Sequence, residues 1–254
     1  MIIEINGTAL YYERLGAGKP VLLLHGWGAS IAAMGSIAQC VASLGYEAVS
    51  LDFPGFGKSE NPSGAWGVPE YAACTRAFME ELGILGCDVI AHSFGGRITI
   101  WLASEEPKLF NRLVLVDAAG IKPRRGAKYY ARVYAYKLGK QLGKIAWMDK
   151  LFGISERQKQ AGSDEYKQLS GDMRATYVKV VNLDLTPRLA QIPNETLLVW
   201  GENDQDTPLW MGQKMEREMK NAGLAVIPDA GHFSYAEDYP RFCTIMQALF
   251  KGEA

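Results

Sequence analysis

Short buried-strand patterns alternating with helical ones limit this chain to few architectures. Pro20–Leu24 (PVLLL) is the plainest, an uninterrupted apolar run suited to a sheet covered on both faces. The segments 46–51, 89–91, 113–116, 196–200 and 224–227 read as further strands. Apolar residues recur at helical spacing over 31–44, 69–85 (Tyr71, Cys74, Phe78, Leu82), 209–220 and 240–250, with Gly45, Gly83 and Gly86 as stops. The alternation predicts an α/β fold built on a doubly wound, mostly parallel sheet. Its beginning differs: Ile2–Ile5 and the segment 10–14 flank Asn6-Gly7, a hairpin signal, so the sheet is expected to start antiparallel.

The alternation breaks over 121–187, where Tyr129, Tyr130, Tyr134, Tyr136, Trp147, Phe152, Tyr166 and Tyr177 occur at mixed spacings without a buried-strand run. This segment is expected to be a largely helical insertion over the sheet, leaving 1–120 and 188–254 as one core domain. A length of 254 residues suits one large domain carrying an insertion. Within 121–160, eleven Lys or Arg face only Asp149 and Glu156, a local charge of +9 in a chain whose net charge is -1. Such a run is first of all a solvated helix face. An anionic substrate, an acidic partner or a membrane surface would also favour it.

The overall charge argues against nucleic-acid binding. The N-terminal sixteen residues lack a basic stretch followed by an apolar core, and no apolar run approaches a membrane span, so a cytoplasmic protein without stable membrane insertion is expected. Cys40, Cys74, Cys87 and Cys243 are far apart with no CxxC, which suits reduced thiols better than disulfides or a zinc site. No cofactor or metal is called for, and the oligomeric state is left open.

Chemistry enters at 86–100, GCDVIAHSFGGRITI, which reads as strand, tight turn, helix. A serine at such a turn, here Ser93, is forced into a strained backbone that lifts its Oγ clear of the sheet, and the Phe94 amide opens the next helix. The pattern is GxSxG with Ala91 in place of the first glycine, an added methyl group. A serine hydroxyl needs a base, and the base needs a carboxylate to fix its tautomer. Of three histidines, His92 directly precedes the serine and points away, so it reads as structural. His25, at the end of an early strand, reads as structural or as bordering the substrate pocket. His232, in the loop after the last strand, is the candidate base, and Asp204, just past the penultimate strand, the candidate acid. Asp206 reads as a cap for the next helix, and Asp117, also ending a strand, remains a second choice for the acid.

Together these residues give the chain a resemblance to the α/β-hydrolase superfamily over nearly its full length. His25-Gly26-Trp27 resembles the family's oxyanion loop, 52–59 (DFPGFGKS) its DxPGxGxS loop, Ser93 its nucleophile elbow, Trp200-Gly201 with Asp204 its acid, and Gly231-His232 its base. The resemblance implies oxyanion donors from the backbone amides of Trp27 and Phe94, and a mobile helical cap matching the insertion. It implies acyl transfer to water, since haloalkane dehalogenases and epoxide hydrolases of this fold use aspartate where Ser93 stands. A carboxylesterase acting on a small-molecule ester is the leading expectation, with the cap supplying the pocket and Tyr129 and Tyr134 among its lining.

Arg97, four residues after the serine, has two readings. It is a structural arginine paired with a carboxylate, or it holds an anionic substrate, as in the menaquinone-pathway succinyl-hydroxy-cyclohexadiene-carboxylate synthase that its Gly-Gly-Arg context resembles. Carbon–carbon bond hydrolases and a non-catalytic ligand receptor on the same fold stay open as alternatives.

Overall fold

The computed structural model describes residues 1–122, Tyr134 and 171–250. Eight strands form one sheet: β1 (Ile2–Ile5), β2 (Thr8–Gly16), β3 (Pro20–Leu24), β4 (Glu47–Leu51), β5 (Cys87–His92), β6 (Phe110–Val116), β7 (Glu195–Gly201) and β8 (Ala222–Ile227). Their order is β1-β2-β4-β3-β5-β6-β7-β8. The hairpin forms as expected, with Asn6 and Gly7 at φ 51° and 77°, the left-handed pair that a tight two-residue turn requires. β2 also pairs antiparallel with β4, a partner that its alternating pattern does not specify. All pairings from β4 through β8 are parallel.

The described α-helices are α1 (Gly35–Ser43), α2 (Val68–Glu81), α3 (Phe94–Glu105), α4 (Gly171–Asn182), α5 (Trp210–Glu218), α6 (Ser234–Glu237) and α7 (Tyr239–Phe250). The expected helix over 31–44 is divided, because Ile31–Met34 is a 3-10 turn that α1 follows directly. Successive strand residues point to opposite faces. Leu22, Leu24, Val89, Ala91 and Leu115 join the core under α2, α3 and α5. Val21, Leu23, Ile90, Val114 and Val199 join the core under α1 and α7. Burying each of the Leu, Val and Ile side chains contributes about 1.5–3 kcal/mol, which explains the apolar runs at the centres of these strands.

The expected insertion leaves the core after β6 and re-enters through α4. Its exit is fastened to its entrance: the Leu185 amide donates to the Gly120 carbonyl at 2.9 Å. Residues 123–133 and 135–170, which carry Tyr129 and almost all of the basic run, lie outside the described residues. No helix among the described residues is long and apolar enough to cross a membrane.

Candidate active site

The elbow is built by close approach. Ser93 adopts φ 48° and ψ -106°, a left-handed conformation costing a non-glycine residue of order 1–3 kcal/mol. Its surroundings impose it: the Ser93 amide donates to Val116 O (3.1 Å), its carbonyl accepts from Ala119 N (3.0 Å), and the Gly95 amide donates to His25 O (3.1 Å). A side chain at Gly95 would strike the Leu24 carbonyl, so α3 can begin here only with glycine. Ala91 is fully buried between Leu24 of β3 and Leu115 of β6, and its methyl group is accommodated.

Two loops at the carboxyl edge of the sheet bring the remaining groups to the serine. His232 Nε2 lies 3.1 Å from Ser93 Oγ, and His232 Nδ1 lies 2.8 Å from Asp204 Oδ2. These partners set the tautomer: Nδ1–H donates to the carboxylate and Nε2 accepts from the hydroxyl. The Asp206 and Thr207 amides donate to Asp204 Oδ1 at 2.8 and 2.9 Å. Thr207 Oγ stands 2.7 Å from Asp204 Oδ2 and 2.9 Å from the Asp117 carbonyl oxygen. Burial opposes ionisation of Asp204, but hydrogen bonds from His232 and Thr207 hold its carboxyl below the usual range. Burial likewise opposes protonation of His232, yet the hydrogen bond and charge of Asp204, with Asp117 and Asp206 beyond it, leave its pKa raised.

Asp117, the alternative acid, is fully buried and turned away from the imidazole. Its Oδ1 accepts from the Gly201 amide at 2.8 Å, and its Oδ2 accepts from Ser234 Oγ at 2.6 Å and the Ser234 amide at 3.2 Å. It therefore ties the loop bearing Asp204 to the helix following His232. Burial pushes its carboxyl up to about 7 against the effect of these donors. Asp206 does not cap a helix: α5 begins after Leu209 with no side-chain cap, and Asp206 is exposed at the cavity rim.

The Trp27 and Phe94 amides make no hydrogen bond to any described group, so both are free to receive an oxyanion. Gly26 lets the first of them come close, since a Cβ there would stand 2.8 Å from His92 Nδ1 and 3.4 Å from Ser93 Cβ. A cavity of about 470 Å³ opens before Ser93, walled by Trp27, Phe94, Ile121, Tyr177, Val180 and Met211. The Trp27 ring packs edge-on against Phe56, Phe94 and Tyr177 with centroids 4.9–5.4 Å apart, fixing that wall.

His25 is not a pocket residue. It has no exposed surface, contacts the Gly26 carbonyl through Nδ1 (2.7 Å), and accepts from the Phe53 amide at Nε2 (3.1 Å). The end of β3 turns it toward the loop after β4, where burial lowers its pKa and keeps it neutral. Tyr134 is 69 % exposed and does not line the cavity, its ring being turned to solvent. Tyr177 and Thr207 line it instead. Tyr177 belongs to the aromatic series of the insertion, but nothing in its spacing distinguishes it from its neighbours.

Arg97 is 6 % exposed and lines the cavity. Nη1 donates to the Leu183 carbonyl at 2.8 Å, and among the described residues no carboxylate pairs with the guanidinium. The expected partner is thus absent there. The charge of Asp184 supports the guanidinium without an ion pair between them. Burial lowers its pKa to about 10, which still leaves it charged at neutral pH.

Asp204, Asp206 and His232 offer donor atoms within 4.8 Å of one another. A cation bound there would compete with the Asp204–His232 hydrogen bond.

A family model for the α/β hydrolase fold matches residues 19–239. A 2-hydroxy-6-oxo-6-phenylhexa-2,4-dienoate hydrolase of Comamonas testosteroni is 24% identical over 259 residues, 94% of this chain and 90% of the relative. A meta-cleavage product hydrolase of Pseudomonas fluorescens superposes with TM-score 0.75 at 21% identity, covering 100% of this chain and 98% of that one. An esterase of Exiguobacterium antarcticum gives TM-score 0.76 at 22% identity, covering 98% of each chain. With the family model matching residues 19–239, most of its length, the chain belongs to the α/β-hydrolase family.

Proposed function

We propose that the chain hydrolyses a bond beside a carbonyl group, with Ser93 as nucleophile, His232 as base and then acid, and Asp204 as its orienting carboxylate. The hydrogen-bonded line from Ser93 Oγ through His232 to Asp204 carries this reading. Ser93 Oγ attacks the carbonyl carbon as its proton passes to His232 Nε2, and the Trp27 and Phe94 amides receive the oxyanion. His232 returns the proton to the leaving group, and water attacks the acyl-serine by the same route.

The substrate class follows from Arg97. A buried guanidinium that lines the cavity, with no carboxylate paired to it among the described residues, favours a substrate that brings its own carboxylate. A carbon–carbon bond breaks hydrolytically only when the departing electron pair is delocalised, as into a conjugated oxo acid, and such a leaving group is anionic at its far end. The names of the 2-hydroxy-6-oxo-6-phenylhexa-2,4-dienoate hydrolases at 24–26% identity support this chemistry. We therefore place a carboxylate-bearing conjugated oxo compound first. A neutral carboxylic ester is the second reading, favoured by the apolar walls, which suit an acyl chain.

Turnover of a 6-oxo-dienoate, its methyl ester and a neutral aryl ester separates the two. Arg97→Met is expected to lower kcat/KM for the carboxylate about 100-fold while leaving the aryl ester within about threefold. Equal loss on both substrates, or preference of the unaltered enzyme for the methyl ester, excludes the anionic reading.

The raised pKa of His232 sets the pH dependence. Only the neutral imidazole accepts the Ser93 proton, so acid inactivates, and a raised pKa moves that loss upward. The acid limb of kcat/KM is expected to have its midpoint above the ordinary histidine value of about 6.5. A midpoint below that value in the pH profile contradicts the Asp204–His232 pairing.

A further inference from the structure

His92 occupies the last position of β5, buried and adjacent in chain to Ser93. It does not simply fill space behind the elbow. Its Nε2 lies 2.9 Å from the backbone carbonyl oxygen of His232, so Nε2 carries the proton and donates it across. Its ring stands 4.9 Å from the His232 ring, 5.3 Å from that of Phe233 and 5.2 Å from that of Tyr235. One side chain, covalently next to the nucleophile, thereby grips the backbone of the base.

The other nitrogen makes the arrangement informative. His92 Nδ1 is buried without a partner among the described residues and sits so close under Gly26 that a Cβ there would lie 2.8 Å from it. A buried polar atom with no partner is costly, and an aromatic hydrocarbon ring would fill this space without that cost. What such a ring would lack is the Nε2–H donor. The same crowding removes any acceptor for a second proton, and burial beside His232 pushes the His92 pKa down to about 3. The ring is therefore neutral whenever His232 is needed as a base, and adds no positive charge beside it.

We propose that His92 is a positioning residue: through its Nε2–H bond to the His232 carbonyl it holds the general base at its distance from Ser93. This rests on the reading of Ser93 and His232 as nucleophile and base. A fluorophosphonate reports on that geometry directly, because its rate of reaction with Ser93 depends on proton transfer to His232 and on no particular substrate.

The full chain, His92→Phe and His92→Gln are compared on the alkaline plateau of the labelling rate, where His232 has given up its proton. His92→Phe keeps the aromatic volume and loses the donor, whereas His92→Gln presents an amide donor near the original Nε2. We expect His92→Phe to be phosphonylated at least about tenfold more slowly and His92→Gln to recover to within about threefold of the unaltered protein. Labelling of His92→Phe at the original rate, or equal slowing of both variants, overturns the role of His92 alone. An unaltered protein that is not labelled at Ser93 overturns the hydrolase reading itself. Nitrogen-15 spectra of the unaltered protein do not depend on variant folding: His92 is expected as the neutral Nε2–H tautomer from about pH 5 to 8. An Nδ1–H tautomer or an imidazolium in that range also overturns the proposal.

Discussion

Ser93→Ala is expected to lower kcat by about 10⁴-fold or more and to abolish fluorophosphonate labelling, while the protein melts close to the unaltered temperature. The side chain of Ser93 contributes one hydrogen bond, to His232 at 3.1 Å, so its loss does little to the fold. Alanine inherits the strained φ of 48° and releases none of it. Ser93→Gly relieves that strain and is expected to melt higher than Ser93→Ala while remaining equally inactive. Single-turnover kinetics and calorimetry read the two effects separately. Residual turnover within about tenfold of the original in Ser93→Ala contradicts the assignment of the nucleophile.

Asp204→Asn is expected to be nearly as damaging, at about 10⁴-fold in kcat. An amide at that position offers an N–H to His232 Nδ1 and favours the tautomer whose Nε2 carries a proton, leaving nothing to accept from Ser93. Asp117→Asn gives the opposite profile. Its carboxylate accepts from Gly201 and Ser234 and does not touch the imidazole, so kcat should stay within about tenfold. An amide nitrogen facing those donors costs stability, about 1–3 kcal/mol in denaturant titration. If Asp117→Asn proves the more inactive variant, the two acids have been assigned in the wrong order.

The central strands were legible because both faces of each are covered, which leaves an apolar run at the middle of each. β2 was legible as a strand but not in its partner, since alternation records a half-exposed face and not the neighbour across it. The division before α1 was invisible for a related reason: Ile31 and Met34 continue the apolar spacing through a change of helix type. Ser93, Asp204 and His232 stood out because few residues competed for each role. His25 misled because a motif next to the oxyanion loop does not reveal which way a strand end turns its last side chain. Thr207 and Tyr177 escaped since a hydroxyl between two acids and one aromatic among many carry no periodic signature. For Arg97, charge alone demanded a carboxylate without saying whether the protein or its substrate supplies it.

The fastening of Leu185 to Gly120 bears on how such a protein acquires new specificities. Gly120 and Leu185, on either side of the expected insertion, meet at a backbone hydrogen bond, and Asp117, three residues before Gly120, ties the loop bearing Asp204 to the helix following His232. Lengthening a closed loop costs only about 0.6 kcal/mol per doubling. A change in the length of chain between these two points therefore costs the core little, and the spacing of Ser93, Asp204 and His232 does not depend on it.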